Sequence, residues 1–335
     1  MQLPASLKAA IETEITRVKP EALAQAALAI SNAYRTNTDF KKSLFTSDAY
    51  RAAYLATRMP ATFASIRAVF AEIKNRLPQI ELTSLLDLGA GAGTTMWAAG
   101  EMFPSLKSIT NLERDKGLIE IGKRLAQASE HPAIASAHWL AADLQSNVDL
   151  APHDMVVMSY SLGEMSQTAR LIQKAWEAAE KLIVVIEPGT VRGFQHMLAA
   201  RDAFIKSGAH IIAPCPHQLV CPMAENDWCH FAARVERAAF HRRAKGAILN
   251  YEDEKFSYVV AATFDCQPVT ARIIRHPFIQ KGHIQFELCT NTGLQQLTVS
   301  KKNQNAFRRA RKSAWGDAWK QIADEVDERE IDERG

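Results

Sequence analysis

The sequence predicts an α/β protein organised around a doubly wound parallel sheet, with a helical region before it and a β-rich segment after it. Three observations carry that expectation. Between residues 84 and 190, short apolar runs alternate with helix-like segments, as in repeated strand–helix units. The runs at 154–160 and 182–186 are almost continuously apolar, as strands covered on both faces must be. The first run, Ser84-Leu85-Leu86-Asp87-Leu88, passes into Gly89-Ala90-Gly91-Ala92-Gly93 and then a helical segment. Glycines at alternate positions permit positive φ and a close ligand approach, and the helix start behind them offers unpaired N–H groups. This is the layout of a Rossmann-like sheet whose first strand turns through a glycine loop.

The elements follow in chain order. Residues 1–80 read as a helical region, with apolar groups at three- and four-residue steps in Leu7, Ala10, Ile11 and Ile15, and again in Leu23, Ala26, Ala27 and Ile30. Ser47-Asp48 marks a helix cap, and Pro60 should break or restart the helix that follows. Residues 54–62 are denser in ring and charge than a spacer needs, which fits a helical cap over the sheet or part of an RNA surface.

Residues 81–190 form the core. Strands are expected up to Asp87, over 108–113 ending at Glu113, over 137–140 before Asp143, over 154–160 and over 182–189. Ligands of such sheets sit at the carboxyl ends of the strands. Asp87, Glu113, Asp143 and Ser159 all come at or beyond those ends.

Residues 191–255 read as a cysteine-rich, metal-binding insertion. Cys215, Cys221 and Cys229 crowd together, separated by five and seven residues, and Cys215 and Cys221 are each followed by proline. Zinc modules usually bring a pair two to four residues apart, which this stretch lacks, whereas iron–sulfur ligation tolerates wider loops and a following proline. A fourth ligand would come from Cys266 or Cys289, with His217 and His230 behind them. Residues 256–300 are β-rich, with a hairpin turn at Asn291-Thr292-Gly293. The first of these strands suits the main sheet; the others complete that sheet or form a separate β unit. The tail, 301–335, is basic at Lys301, Lys302, Arg308, Arg309, Arg311 and Lys312, interleaved with Phe307 and Trp315, and acidic from Asp324. The basic part fits phosphate contact, or a solvated helix face.

Composition narrows the class. The chain has 335 residues, 47% apolar and 23% charged, ordinary values for a globular protein with one large domain and appendages. A formal net charge of +3 is too small to argue for nucleic acid without the clustering just described. No run approaches the ~18 apolar residues of a membrane span. The first residues, Met1-Gln2-Leu3-Pro4 and then Lys8, Glu12 and Glu14, show neither a signal core nor the Arg-rich pattern of a transit peptide, so the expectation is a bacterial cytoplasmic protein. Five cysteines in a reducing compartment point to metal rather than disulfides.

The glycine loop does not follow the dinucleotide fingerprint, whose third glycine would fall where Thr94 stands. Asp87-x-Gly89-x-Gly91-x-Gly93 instead resembles the first motif of the S-adenosylmethionine-dependent methyltransferases. That resemblance implies a loop that cradles the methionine half of the cofactor, Glu113 on the ribose hydroxyls, Asp143 on the adenine amino group, and Ser159 near the bound ligand. A wider resemblance runs through residues 54–62, Ser159-Tyr160-Ser161-Leu162-Gly163-Glu164, Glu187-Pro188-Gly189-Thr190, residues 214–231, Phe256-Ser257-Tyr258-Val259-Val260, Lys281-Gly282-His283, Leu288-Cys289, Ala310-Arg311-Lys312 and Trp315-Gly316-Asp317. Across these segments the chain resembles the methyltransferase-like assembly factors of the small ribosomal subunit.

The resemblance implies a factor that acts on the assembling small subunit through its rRNA, as an rRNA methyltransferase or as a non-catalytic assembly factor that keeps the cofactor site. A small-molecule methyltransferase with a zinc site is the third alternative. It also implies that Cys215, Cys221, Cys229 and Cys289 hold an iron–sulfur cluster, of the four-iron type by ligand count, with zinc as the alternative and Cys266 as the spare. The sequence lacks the Asn-Pro-Pro-aromatic loop of amino-group methylases and the paired catalytic cysteines of cytosine-carbon enzymes. It names no general base. A monomer is expected.

Overall fold

The computed structural model describes residues 1–36, 47–165, 168–223, 227–245 and 249–320. Among them the main sheet has eight strands: β1 (Ser84–Leu88), β2 (Ser108–Glu113), β3 (His138–Ala141), β4 (His153–Ser159), β5 (Ala179–Pro188), β6 (His210–Ala213), β7 (Phe231–Glu236) and β8 (Tyr251–Ala262). Their order is β3-β2-β1-β4-β5-β8, with the first five parallel and β8 antiparallel to β5. Strand order reverses between β1 and β4, the place where such sheets bind ligands. The expected α/β fold is therefore what the chain adopts.

Alternation along the strands divides the core. Met155 and Val157 of β4, Leu182, Val184 and Ile186 of β5 and Val260 of β8 face one way, against the helices Met59–Arg76, Thr94–Met102 and Lys116–Ala126. Val156 and Met158, Ile183 and Val185, and Val259 face the other way, against the helices Thr168–Glu177 and Val191–Lys206. Both faces are covered, so the strands read as continuous apolar runs.

The N-terminal region is helical, as expected, over Ala5–Ile15, Pro20–Thr36, Asp48–Thr57 and Met59–Arg76. Ser47 caps the third of these by accepting from the Tyr50 backbone N–H, and Pro60 stands in the first turn of the fourth. Proline lacks the N–H that a helix start leaves unpaired anyway, so it restarts the helix there at little cost.

The cysteine-rich stretch contributes β6 and β7 to the main sheet, where both pair with β8. Beyond β8 the β-rich segment forms its own sheet: β9 (Ala271–Ile273), β10 (Phe278–Ile279), β11 (His283–Thr290), β12 (Gly293–Ser300) and β13 (Ala318–Trp319). Its β11–β12 hairpin turns through Asn291-Thr292, with Gly293 at φ +119°. Ile273, Ile284, Phe286, Leu288, Val299 and Trp319 pack under the helix Gln304–Ala310. The acidic tail expected from Asp324 lies outside the described residues. No helix among the described residues is long and apolar enough to cross a membrane.

Candidate functional site

The carboxyl ends of β1, β2 and β4 open into a cavity of about 580 Å³. Its floor is the glycine loop, which is stitched to β2: the backbone N–H groups of Gly89 and Ala90 donate to the Leu112 carbonyl at 2.9 and 3.0 Å. Gly89 and Gly91 have φ of +84° and +57°, a region that strains any residue with a side chain. A Cβ on Gly89 would stand 2.8 Å from Ser161 Cβ, and one on Gly91 would stand 3.1 Å from the Tyr54 hydroxyl. Both glycines line the cavity. Gly93 does not; it begins the helix Thr94–Met102 and packs against Met96 and Trp139.

The acids divide likewise. Glu113 ends β2 at the cavity wall, where Oε2 accepts from the Gly91 N–H at 2.9 Å and Oε1 from the Arg114 and Asp115 N–H groups at 2.9 Å each. Burial raises its pKa even against those donors, and Glu164 adds repulsion. Asp143 is exposed at the rim, accepting from the Gln145 N–H at 3.0 Å. Ser159 ends β4 on the wall, and its buried Oγ has no hydrogen-bond partner; the same holds for Ser161.

Asp87 lies beneath the loop, 1% exposed, and does not reach the cavity. Burial pushes its carboxyl up to about 7, the nearby Thr95 side chain opposes the shift, and Glu113 adds to it. Neither Asp87 oxygen has a hydrogen-bond partner of ordinary geometry, so Thr95 acts as a neighbouring dipole.

Several wall residues were not singled out from the sequence. Arg51, Tyr54 and Thr62 reach the cavity from the N-terminal helices. The density of rings and charges at 54–62 was the available signal, and it marks a wall of this cavity. Arg51 is fixed by Asp115, whose Oδ1 it meets at 3.1 Å and which also caps the helix Lys116–Ala126. Tyr160, just after β4, holds φ +56°, a strained value for a residue with a ring. Its hydroxyl lies 3.0 Å from Ser65 Oγ and 3.1 Å from Glu254 Oε1, and Arg58 clamps Glu254 with two nitrogens at 2.8 and 3.2 Å. Burial, then the Glu254 charge, raises the Tyr160 pKa well above its ordinary value.

A second, smaller cavity lies under the helix Val191–Lys206. Cys215, Cys221, Cys229 and Cys289 all line it, together with Arg201, His217 and Arg272. Cys266 is elsewhere, on the loop after β8, with its Sγ toward the Gln267 carbonyl. Burial pushes the Cys289 thiol up to about 12 and those of Cys221 and Cys229 upward too, with repulsion among neighbouring thiolates adding to each. His217 places Nε2 3.6 Å from Cys289 Sγ, while His230 stacks on Trp228 away from the cavity. Among the described residues no group of three or more His, Cys, Asp or Glu is placed to hold a metal ion.

At the other end of the small sheet, Lys301, Lys302, Arg308, Arg311 and Lys312 are exposed, whereas Arg309 lies over the Trp319 ring at 5.7 Å. The interleaved aromatics are used in packing: Phe307 against the small sheet and Trp315 against His276, His230 and Phe231.

A family model described as "Mitochondrial small ribosomal subunit Rsm22" matches residues 48–320. The human ribosome assembly protein METTL17, mitochondrial, is 26% identical over 317 residues, covering 86% of this chain and 66% of the relative. The fission yeast Rsm22-cox11 tandem protein 2, mitochondrial, is 26% identical over 328 residues, covering 79% of this chain but 42% of the relative. Among solved structures, magnesium protoporphyrin IX methyltransferase from Synechocystis PCC 6803 with bound SAH overlays at TM-score 0.39 and 10% identity, over 60% of this chain and 83% of that one. The precorrin-6y C5,15-methyltransferase of Geobacter metallireducens overlays at TM-score 0.38 and 16% identity, over 67% and 92%. The expected bacterial cytoplasmic location is overturned, because the family description and the human and fission yeast relatives are mitochondrial. A location judged from the absence of a recognisable leader in the sequence is weaker than kinship over most of the chain.

Proposed function

Because the chain belongs to the Rsm22 family, we propose that it is an S-adenosylmethionine-binding factor of small-ribosomal-subunit assembly, acting through contact with the subunit's rRNA. One observation carries the reading: Gly89, Gly91, Glu113, Asp143 and Ser159, separated in sequence, line a single cavity at the switch point of the sheet. The residues present fit the cofactor. The two glycines leave a cradle that a Cβ would fill, and the Ser159 and Ser161 hydroxyls are buried with no partner, as groups awaiting a polar ligand are. Glu113 would accept from ribose hydroxyls and Asp143 from the adenine amino group.

When bound, the cofactor supplies an electrophilic methyl group. Transfer would also need a base or an orienting group at the wall, and Tyr160 is tied to Ser65 and Glu254. That favours the assembly role over methyl transfer, with transfer to rRNA as the second reading.

Cys215, Cys221, Cys229 and Cys289 would hold an iron–sulfur cluster. Four thiols lining one cavity, with no close cysteine pair of the kind zinc modules bring, support a cluster over zinc. Its chemistry there would be a cross-link between the cysteine loop and β11. Lys301, Lys302, Arg308, Arg311 and Lys312 would contact phosphates.

Depletion of the chain, followed by sedimentation of ribosomal particles and mass spectrometry of rRNA nucleosides, tests the proposal. Small-subunit precursors should accumulate with every methylated nucleoside retained. Loss of one methylated nucleoside would favour the transfer reading, and small subunits in normal amount would refute both.

A further inference from the structure

Two arginines are buried beside the cysteine cavity, and they are balanced differently. Arg272, 1% exposed, donates from Nε to the Pro214 carbonyl at 2.9 Å, from one terminal nitrogen to the Gly316 carbonyl at 2.8 Å, and from the other to Glu72 Oε1 at 2.7 Å. Its charge therefore has a carboxylate. Arg201, also 1% exposed, enters the cavity from the helix Val191–Lys206. One terminal nitrogen donates to the His217 and Leu219 carbonyls at 3.0 and 2.8 Å, inside the loop that joins Cys215 to Cys221. Its carboxylate contact, Asp202 at 3.3 Å, is 52% exposed and so largely screened by solvent. Its Nε is buried with no acceptor. Cys215 and Cys221 line the same cavity as its guanidinium. A buried cation so weakly compensated is costly unless an anion completes its surroundings.

We propose that Arg201 is a built-in counter-charge for an anionic, thiolate-held iron–sulfur cluster and raises that cluster's reduction potential. The inference rests on the ligand set proposed above. Reduction takes one electron from an external one-electron donor and adds one negative charge, with no bond made or broken. A fixed cation in a low-dielectric cavity stabilises the reduced form more than the oxidised one. His217 acts in the same sense. Its Nδ1 accepts from the Leu219 N–H at 3.2 Å, which leaves the neutral ring's proton on Nε2, facing Cys289 Sγ. Arg201 is a positioning residue as well, through its two carbonyl bonds, and the two roles separate experimentally: bracing the loop affects cluster retention, whereas charge affects potential.

The test is a potentiometric titration, read by visible absorbance and electron paramagnetic resonance, of the full chain reconstituted anaerobically with iron and sulfide. Arg201→Gln should favour the oxidised cluster at least tenfold, a shift of about 59 mV to more negative potential for a one-electron couple. Arg201→Lys keeps the charge and breaks the carbonyl bonds, so its potential should stay near that of the wild type while the loop becomes easier to proteolyse. An unchanged potential in iron-loaded Arg201→Gln overturns the proposal. If that variant fails to load, Arg201→Lys decides: a potential within twofold of wild type in equilibrium terms supports the counter-charge, and a tenfold shift overturns it. Wild-type protein that takes up no iron overturns the ligand set itself, and with it this inference.

Discussion

Arg272 fastens three parts of the chain that are remote in sequence, so its removal should be expensive in a calculable way. It sits on β9 opposite Cys289 of β11 and reaches Pro214 before the cysteine loop, Gly316 before β13, and Glu72 on the helix Met59–Arg76. Arg272→Met keeps most of the aliphatic stem and deletes three hydrogen bonds from a charged donor, each worth about 1.5–3 kcal/mol. The gross loss of about 4.5–9 kcal/mol is reduced because Glu72, 16% exposed, regains water. The expected cost is therefore about 4 kcal/mol, within the range of about 3–5 kcal/mol for breaking a buried ion pair from one side. Urea unfolding of the variant should show it, and limited proteolysis should find the small sheet released first. A double-mutant cycle with Glu72→Gln should give an interaction energy of about 2 kcal/mol. A cost below about 1 kcal/mol, or strict additivity in the cycle, would refute the reasoning.

Asp87 supplies a pH prediction. Its folded pKa of about 7 lies above the unfolded value of about 3.9, so its stabilising effect is complete below pH 4 and is lost as pH rises to 7. Asp87→Asn should match the wild type near pH 4 and exceed it by about 4 kcal/mol at pH 8; a difference independent of pH would contradict this. Gly91→Val places a branched side chain at φ +57° against the Tyr54 hydroxyl, and should abolish S-adenosylmethionine binding by calorimetry while far-ultraviolet dichroism stays unchanged. Undiminished affinity would remove the glycine loop from the site. Cys289→Ser should lose iron and loosen residues 213–223 to protease, whereas Cys266→Ser should do neither; the reverse pattern would show that the ligand set is wrong.

The fold was legible where one physical signal dominated. Residues 154–158 and 182–186 are apolar on both faces, and Gly89, Gly91 and Gly93 have a spacing that packing alone does not need. β7 was legible in principle, since Phe231, Ala233 and Val235 alternate inward with Ala232, Arg234 and Glu236 outward. The cysteines beside it drew the reading toward metal instead. β6 and β13, of four and two residues, are strands only because β8 and β9 pair with them over long sequence distances.

Within the candidate site, position along a strand was legible and depth was not. Asp87 and Glu113 both occur where a strand ends, yet one lies under the loop and the other faces the cavity. The roles of Tyr54 and Thr62 depend on how the N-terminal helices fold over a sheet whose first strand begins only at Ser84. Cys289 and Cys266 differ only in placement, the first on a strand facing the helix Val191–Lys206, the second on an outer loop.

The most direct test of the account is sedimentation of the tagged chain from gently lysed cells on a sucrose gradient. The chain should travel with precursor small subunits, be absent from mature ribosomes, and shift to the top of the gradient when small-subunit rRNA synthesis is blocked. A chain that stays at the top of the gradient whether or not precursors are present would contradict an assembly role on the small subunit.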